Sequence, residues 1–91
     1  MKICFDVGHA YIGKSIEGFL ERSGLIANVH INENDGKGDL HLPLGSCDMD
    51  VGAIMRRLMS SGYKGPFIIE SRDLEEGVKS VDYLIEHQVI L

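Results

Sequence analysis

The sequence predicts an α/β fold of three consecutive βα units, β-α-β-α-β-α, with its strands parallel. Two observations carry that expectation. Short apolar runs with β-formers, KICFDV at 2–7, LIANVHIN at 25–32 and FIIE at 67–70, alternate with stretches whose apolar residues recur at helical spacing. Glycine or Gly-Pro stands at the joints between them. A strand, a helical crossover and a second strand in one sheet pack as parallel neighbours with a right-handed connection, so all three strands end on the same side.

The first unit spans about 2–24. Residues 2–7 read as a strand buried on both faces, and Gly8-His9-Ala10 breaks it. Ile12, Ile16, Phe19 and Leu20 then place a helix over about 12–23, with Gly24 where a left-handed helix stop belongs. The second unit, about 25–62, takes 25–32 as its strand. After a long polar loop, Val51, Ile54, Met55, Leu58 and Met59 share one helix face; Asp48 or Asp50 is available as N-cap and Gly62 as the stop. The third unit, about 66–88, opens after Gly65-Pro66 with the strand 67–70. Asp73 with Glu76 has the form of a capping box, and Leu74, Val78, Val81 and Ile85 carry the apolar stripe of the last helix.

Ninety-one residues, 44% of them hydrophobic and 25% charged, suit a single globular domain. Three parallel strands leave two edges unpaired and one sheet face poorly covered. The chain is therefore expected to form part of a larger α/β barrel, with an N-terminal barrel half, or to complete its sheet as a homo-oligomer. A net charge of −5 argues against non-specific binding to nucleic acid. Cys4 and Cys47 lie in no metal-ligand or disulfide framework, so both are expected reduced in a cytoplasmic protein. No signal-peptide core and no apolar run near the ~20 residues of a membrane span are expected from the sequence.

In an α/β barrel the chemistry sits at the carboxyl ends of the strands. Each predicted strand here ends on potential metal ligands: Asp6 and His9 after the first, His30 on the second, Glu70 on the third, with Asp39 and His41 added by the loop after the second. Imidazoles mixed with carboxylates suit Zn²⁺, Mn²⁺ or Co²⁺ with open coordination positions. Each residue also has a bland reading. Asp6 would cap the following turn, His9 would be a satisfied loop histidine, and Glu70 would be an exposed carboxylate. Jointly, apolar runs ending in D-x-x-H, H and E point to a metal or substrate site. Other features carry less. Gly36-Lys37-Gly38 has no phosphate-loop pattern, Arg56 and Arg57 suit a solvated helix face, Met49, Met55 and Met59 suit core filling, and His87 suits a helix end.

FDVGHA at 5–10, VHINENDGKGDLHLPLGSCDMD at 29–50, and GPFIIES at 65–71 followed by LEEGVKSVDYL at 74–84 resemble the last three βα units of the xylose isomerase-like TIM barrels. That superfamily holds sugar and sugar-phosphate isomerases and epimerases, and endonuclease IV. The resemblance implies a partial TIM barrel, since full barrels run to ~250 residues. In the epimerase branch it implies one divalent metal (Zn, Mn, Mg or Co) on Asp6, His30 and Glu70 with a glutamate from an earlier strand. It further implies that His9 contacts a sugar or sugar-phosphate substrate and that Glu70 is catalytic. In the endonuclease branch it implies a three-zinc cluster in which His9, Asp39 and His41 match the ligands of one zinc. The expected function is thus that of a metal-dependent isomerase or epimerase with an incomplete site. The alternatives are an endonuclease IV-like zinc phosphodiester hydrolase and a non-catalytic module that completes an oligomer. Glu33 stands where relatives often carry Asp, and Gly45-Ser46-Cys47 where they commonly have a second glycine.

Overall fold

The computed structural model describes residues 1–90. Its elements run β1 (Ile3–Asp6), α1 (Val7–Ile12), α2 (Ile16–Leu20), a 3-10 turn (Ser23–Leu25), β2 (Ile26–Ile31), α3 (Val51–Ser60), β3 (Phe67–Ile69) and α4 (Leu74–Glu86). The strands form one sheet in the order β1-β2-β3, and both pairs are parallel. The expected α/β fold of three βα units is present, and β1 and β3 are left as open edges. No helix among the described residues is long and apolar enough to cross a membrane.

The sheet is buried on one face rather than two. Phe5, Val29 and Ile31 are fully buried, Phe67 and Ile69 pack beside them, and Val7, Val51, Met55 and Leu58 close the layer from the helices. Alternation sends Cys4, Asp6, Asn28, His30, Ile68 and Glu70 to the other face, where Cys4 and Ile68 are exposed. This arrangement fixes the register. A one-residue slip of β2 would trade Val29 and Ile31 for Asn28 and His30, losing ~1.5–3 kcal/mol for each apolar side chain withdrawn from the core.

Several local expectations are corrected. The first helix begins at Val7, not near Ile12, because Asp6 Oδ1 accepts the His9 N–H at 2.9 Å and caps it. Gly8-His9-Ala10 is therefore helical. The helix breaks at Gly13-Lys14-Ser15, where Lys14 takes φ 55°, and resumes as α2. Gly24 is not a left-handed stop, whereas Gly62 (φ 96°) is one. Met49 and Met55 fill the core as expected, but Met59 is exposed.

The last helix turns a different face inward from the one its pattern suggests. Leu74, Val78, Val81 and Ile85 are exposed, and Ser80 and Leu84, about 100° round the helix, are buried. Asp73 caps Glu76 N as expected, while the Glu76 side chain pairs with Arg72 instead of closing the box. The inward face of α4 is committed to the long loop after β2. Ser80 Oγ accepts the Leu44 N–H at 3.1 Å, and the Tyr83 ring lies against Gly45.

Candidate metal centre

Parallel pairing sets Asp6 opposite His30 on the open face, and Glu70 follows β3 one step past Ile69, its N–H donating to Ile31 O at 3.0 Å. Each of Asp6, His30 and Glu70 offers one ligand atom, and the three atoms lie within 4.8 Å of one another. His30 Nδ1 is 3.4 Å from Glu70 Oε2. All three side chains are half-buried. Asp6 fulfils both of its readings, capping α1 while facing the cluster.

The donor set fits a divalent cation. Two carboxylates and an imidazole converge in a partly desolvated place where, among the described residues, the ion pairs of Asp6 and Glu70 are to histidines and not to Lys or Arg. Burial acts to raise the Asp6 pKa, but the His9 N–H, its neighbouring side chains and the charge of His9 outweigh it and hold the carboxyl below its ordinary range. Asn32, one alternation past His30 and almost completely buried, donates from Nδ2 to Glu70 Oε1 at 2.9 Å.

His9, Asp39 and His41 form a second, looser run that joins the first at Asp6. His9 Nδ1 lies 3.3 Å from Asp6 Oδ1, and His9 Nε2 lies 2.9 Å from Asp39 Oδ2. His41 Nε2 lies 3.0 Å from Asp39 Oδ1. Asp39 thus sits between the two imidazoles. The structure brings all six expected ligands into one chain of contacts, but among the described residues only Asp6, His30 and Glu70 converge on a common point. The His9 side chain is 61% exposed. The carboxylates of Asp6 and then Asp39 raise its pKa.

The loop that carries Asp39 and His41 is held by residues to which the sequence assigned no part. Glu33, fully buried, accepts the N–H groups of Gly45 (2.8 Å) and Cys47, and its backbone pairs with Leu42. Burial pushes the Glu33 pKa up; the two N–H donors oppose the shift, and Asp48 and Asp50 add to it. Asn34, also buried, donates from Nδ2 to Gly8 O at 3.0 Å and accepts the Gly36 N–H at 2.8 Å. Gly45 takes φ 91°, and a Cβ there would lie 2.9 Å from the Tyr83 ring, so both backbone and space exclude a side chain. None of these loop anchors is marked by a period in the sequence, whereas the strand period of two puts Asn32 on the face of His30.

Comparison with known proteins agrees with the fold. Residues 1–87 match the xylose isomerase-like TIM barrel family. The chain belongs to that family. Its relatives within reach of sequence include the uncharacterized protein MJ1311 of Methanocaldococcus jannaschii, 32% identical over 98% of this chain and 32% of that protein. A second, the uncharacterized protein MJ1614 of the same organism, is 47% identical over 50% of this chain and 18% of its own length. A crystal structure of a D-tagatose 3-epimerase-like protein superposes with a TM-score of 0.85 at 31% identity, over 96% of this chain and 34% of that one. The chain thus spans about a third of the length of MJ1311 and of this barrel structure, and its three βα units are those of a partial xylose isomerase-like barrel.

Proposed function

We propose that this chain supplies the metal-binding carboxyl-end units of a sugar or sugar-phosphate isomerase or epimerase. The observation that carries the proposal is the convergence of Asp6, His30 and Glu70 at the ends of three adjacent parallel strands. The superposition on the D-tagatose 3-epimerase-like protein supports it. A bound Zn²⁺, Mn²⁺, Mg²⁺ or Co²⁺ would polarise substrate oxygens as a Lewis acid. Glu70 is the residue to move the proton at the carbon beside the substrate carbonyl, and the exposed His9 is placed to meet the sugar. A single carboxylate reaches only one face of the substrate, so epimerisation, which delivers the proton to the opposite face, needs a second acid/base from further barrel units. The open edges at β1 and β3 and the exposed stripe of α4 are where such units, or a second copy of the chain, would join. Cys4 and Cys47 are unpaired, which suits a reducing, cytoplasmic setting.

The test is metal analysis after dialysis, together with a ketose epimerisation assay. One divalent metal per chain, with weak or no turnover by the chain alone, is the expected result. Full turnover by a purified monomer would overturn the incomplete-site reading, and absence of metal at every concentration would overturn the metal centre. The run His9–Asp39–His41 favours a second reading, zinc-dependent phosphodiester hydrolysis. Its mark would be additional zinc bound through those residues.

A further inference from the structure

We infer that Asn32 is a positioning residue for this centre: its side-chain amide holds Glu70 so that one carboxylate oxygen faces His30 and the other is kept out of the metal's reach. The inference rests on the metal reading above. Asn32 Nδ2 donates to Glu70 Oε1 at 2.9 Å, which leaves Oε2 beside His30 Nδ1 at 3.4 Å. A carboxylate fixed through one oxygen presents the other in a single direction, and partners of this kind orient ligating side chains and tune their basicity.

Three observations separate this role from simple packing. Asn32 is 1% exposed, yet its Oδ1 has no hydrogen-bond partner among the described residues. A buried, unpaired carbonyl is destabilising, so an apolar side chain of the same shape would serve the fold at least as well. Its amide is directed at the metal-site carboxylates: it donates to Glu70 Oε1 at 2.9 Å and also helps to hold the Asp6 carboxyl ionised. The chain also makes room for it. A Cβ on Gly8 would lie 1.8 Å from Asn32 Oδ1 and 2.9 Å from its Cγ, so the helix that Asp6 caps approaches the amide more closely than any other residue would allow. Gly8, Asn32 and Glu70 are thus stacked from α1 to the end of β3, with the amide between the helix backbone and the ligand.

The test compares wild type with the near-isosteric Asn32→Leu and the smaller Asn32→Ala. Co²⁺ affinity is read by titration, the visible d–d spectrum of the bound ion reports coordination, and the Tm of the metal-free chain reports the fold. Asn32→Leu is expected to keep or raise Tm while weakening Co²⁺ binding about 10- to 100-fold, the usual cost of losing an outer partner of a metal ligand, and to change the spectrum. Asn32→Ala should change the spectrum in the same way. Wild-type affinity and spectrum in Asn32→Leu would overturn the positioning role and leave the metal centre standing. A fall in Tm in both variants in step with affinity would overturn it in favour of a structural role. A folded wild type that binds no Co²⁺ would overturn the centre and, with it, this role.

Discussion

The Asp6–His30–Glu70 cluster and the His9–Asp39–His41 run use the same kinds of side chain and adjoin at Asp6, yet they are built by different means. In the first, neighbouring strands set the ligands: pairing aligns Asp6 with His30, and the Ile31 carbonyl receives Glu70 N–H at 3.0 Å. In the second, two of the three residues ride on a loop without regular pairing of its own, and His41 adopts φ 52°, a left-handed conformation that costs a non-glycine residue ~1 kcal/mol or more. Sheet register fixes where each of these side chains leaves the backbone. A loop needs anchors, and here they are Glu33, Asn34 and Ser80. The difference teaches that convergence follows from the strand ends, while the loop adds groups whose geometry is only as firm as its clamps.

The sharpest way to break the comparison is to remove one imidazole from each side. His30→Ala should weaken binding of a single divalent metal by more than the ~10–100-fold that loss of an outer partner costs. His41→Ala should weaken it no more than about fivefold, the scale of an exposed ion pair. Isothermal titration with Mn²⁺ and Zn²⁺ measures both. A large loss in His41→Ala with Zn²⁺ would move His41 into the metal's own shell and turn the balance toward the zinc hydrolase reading.

The next effect lies in the clamp. Glu33→Ala strips the acceptor from two N–H groups, Gly45 and Cys47, at about 1–3 kcal/mol for each donor left unpaired. Urea unfolding should therefore show a loss of roughly 2–6 kcal/mol. Glu33→Gln, with one acceptor oxygen left, should lose less. The pH dependence has a definite sign. Because the folded pKa of Glu33 is raised, its protonated form is favoured in the fold, and its contribution to stability falls as pH climbs from the ordinary glutamate value through the folded one. The stability of wild type relative to Glu33→Gln should decline over that interval. A difference that grows with pH would mean that the N–H donors, not burial, dominate the site.

How much of this was legible in the sequence divides along the same line. The βα order, the parallel sheet and the three strand-end ligands follow from runs such as VHI and FIIE, because apolar periodicity reports which face a residue takes. The start of α1 departs from its apolar spacing because Asp6, a candidate ligand and turn cap, caps a helix that contains Gly8 and His9. The apolar stripe of α4 suggests a core face, but the helix turns Ser80 and Leu84 inward, where Ser80 Oγ accepts the Leu44 N–H of the folded-back loop. Burial of Glu33 and Asn34 left no trace in a polar segment, since a loop has no period to mark its inner side.

A finer test leaves every ligand in place and disturbs chiefly the support behind the cluster. Gly8→Ala introduces a Cβ 1.8 Å from Asn32 Oδ1, so the amide must shift and its bond to Glu70 lengthens. The expected loss of Co²⁺ affinity is about tenfold, the low end of the range for outer-partner defects. Asn34 Nδ2, 3.2 Å from the same Cβ position, can give by a small rotation. The contacts of His9, Asp39 and His41 to one another should persist, and their imidazole NMR shifts are the check.

The smallest effect belongs to the exposed end of the run. His9 has its folded pKa raised by Asp6 and Asp39, so its ion pairs contribute stability that is fully present below the unfolded value of ~6.5 and is lost as pH rises through the folded value. With its side chain 61% exposed, solvent screening limits that contribution to a few tenths of a kcal/mol, about what an exposed pair provides. In chelator-treated protein, wild type should exceed His9→Gln in stability near pH 5 and lose that margin above neutrality. Added salt should shrink the margin, since exposed charges are screened. If the margin vanishes in Asp39→Asn but survives in His41→Ala, Asp39 is the partner that matters, and the loop is seated on α1 in solution through that one carboxylate. If it survives in Asp39→Asn, Asp6 alone holds His9, and the second run is a set of neighbours that the sheet does not need.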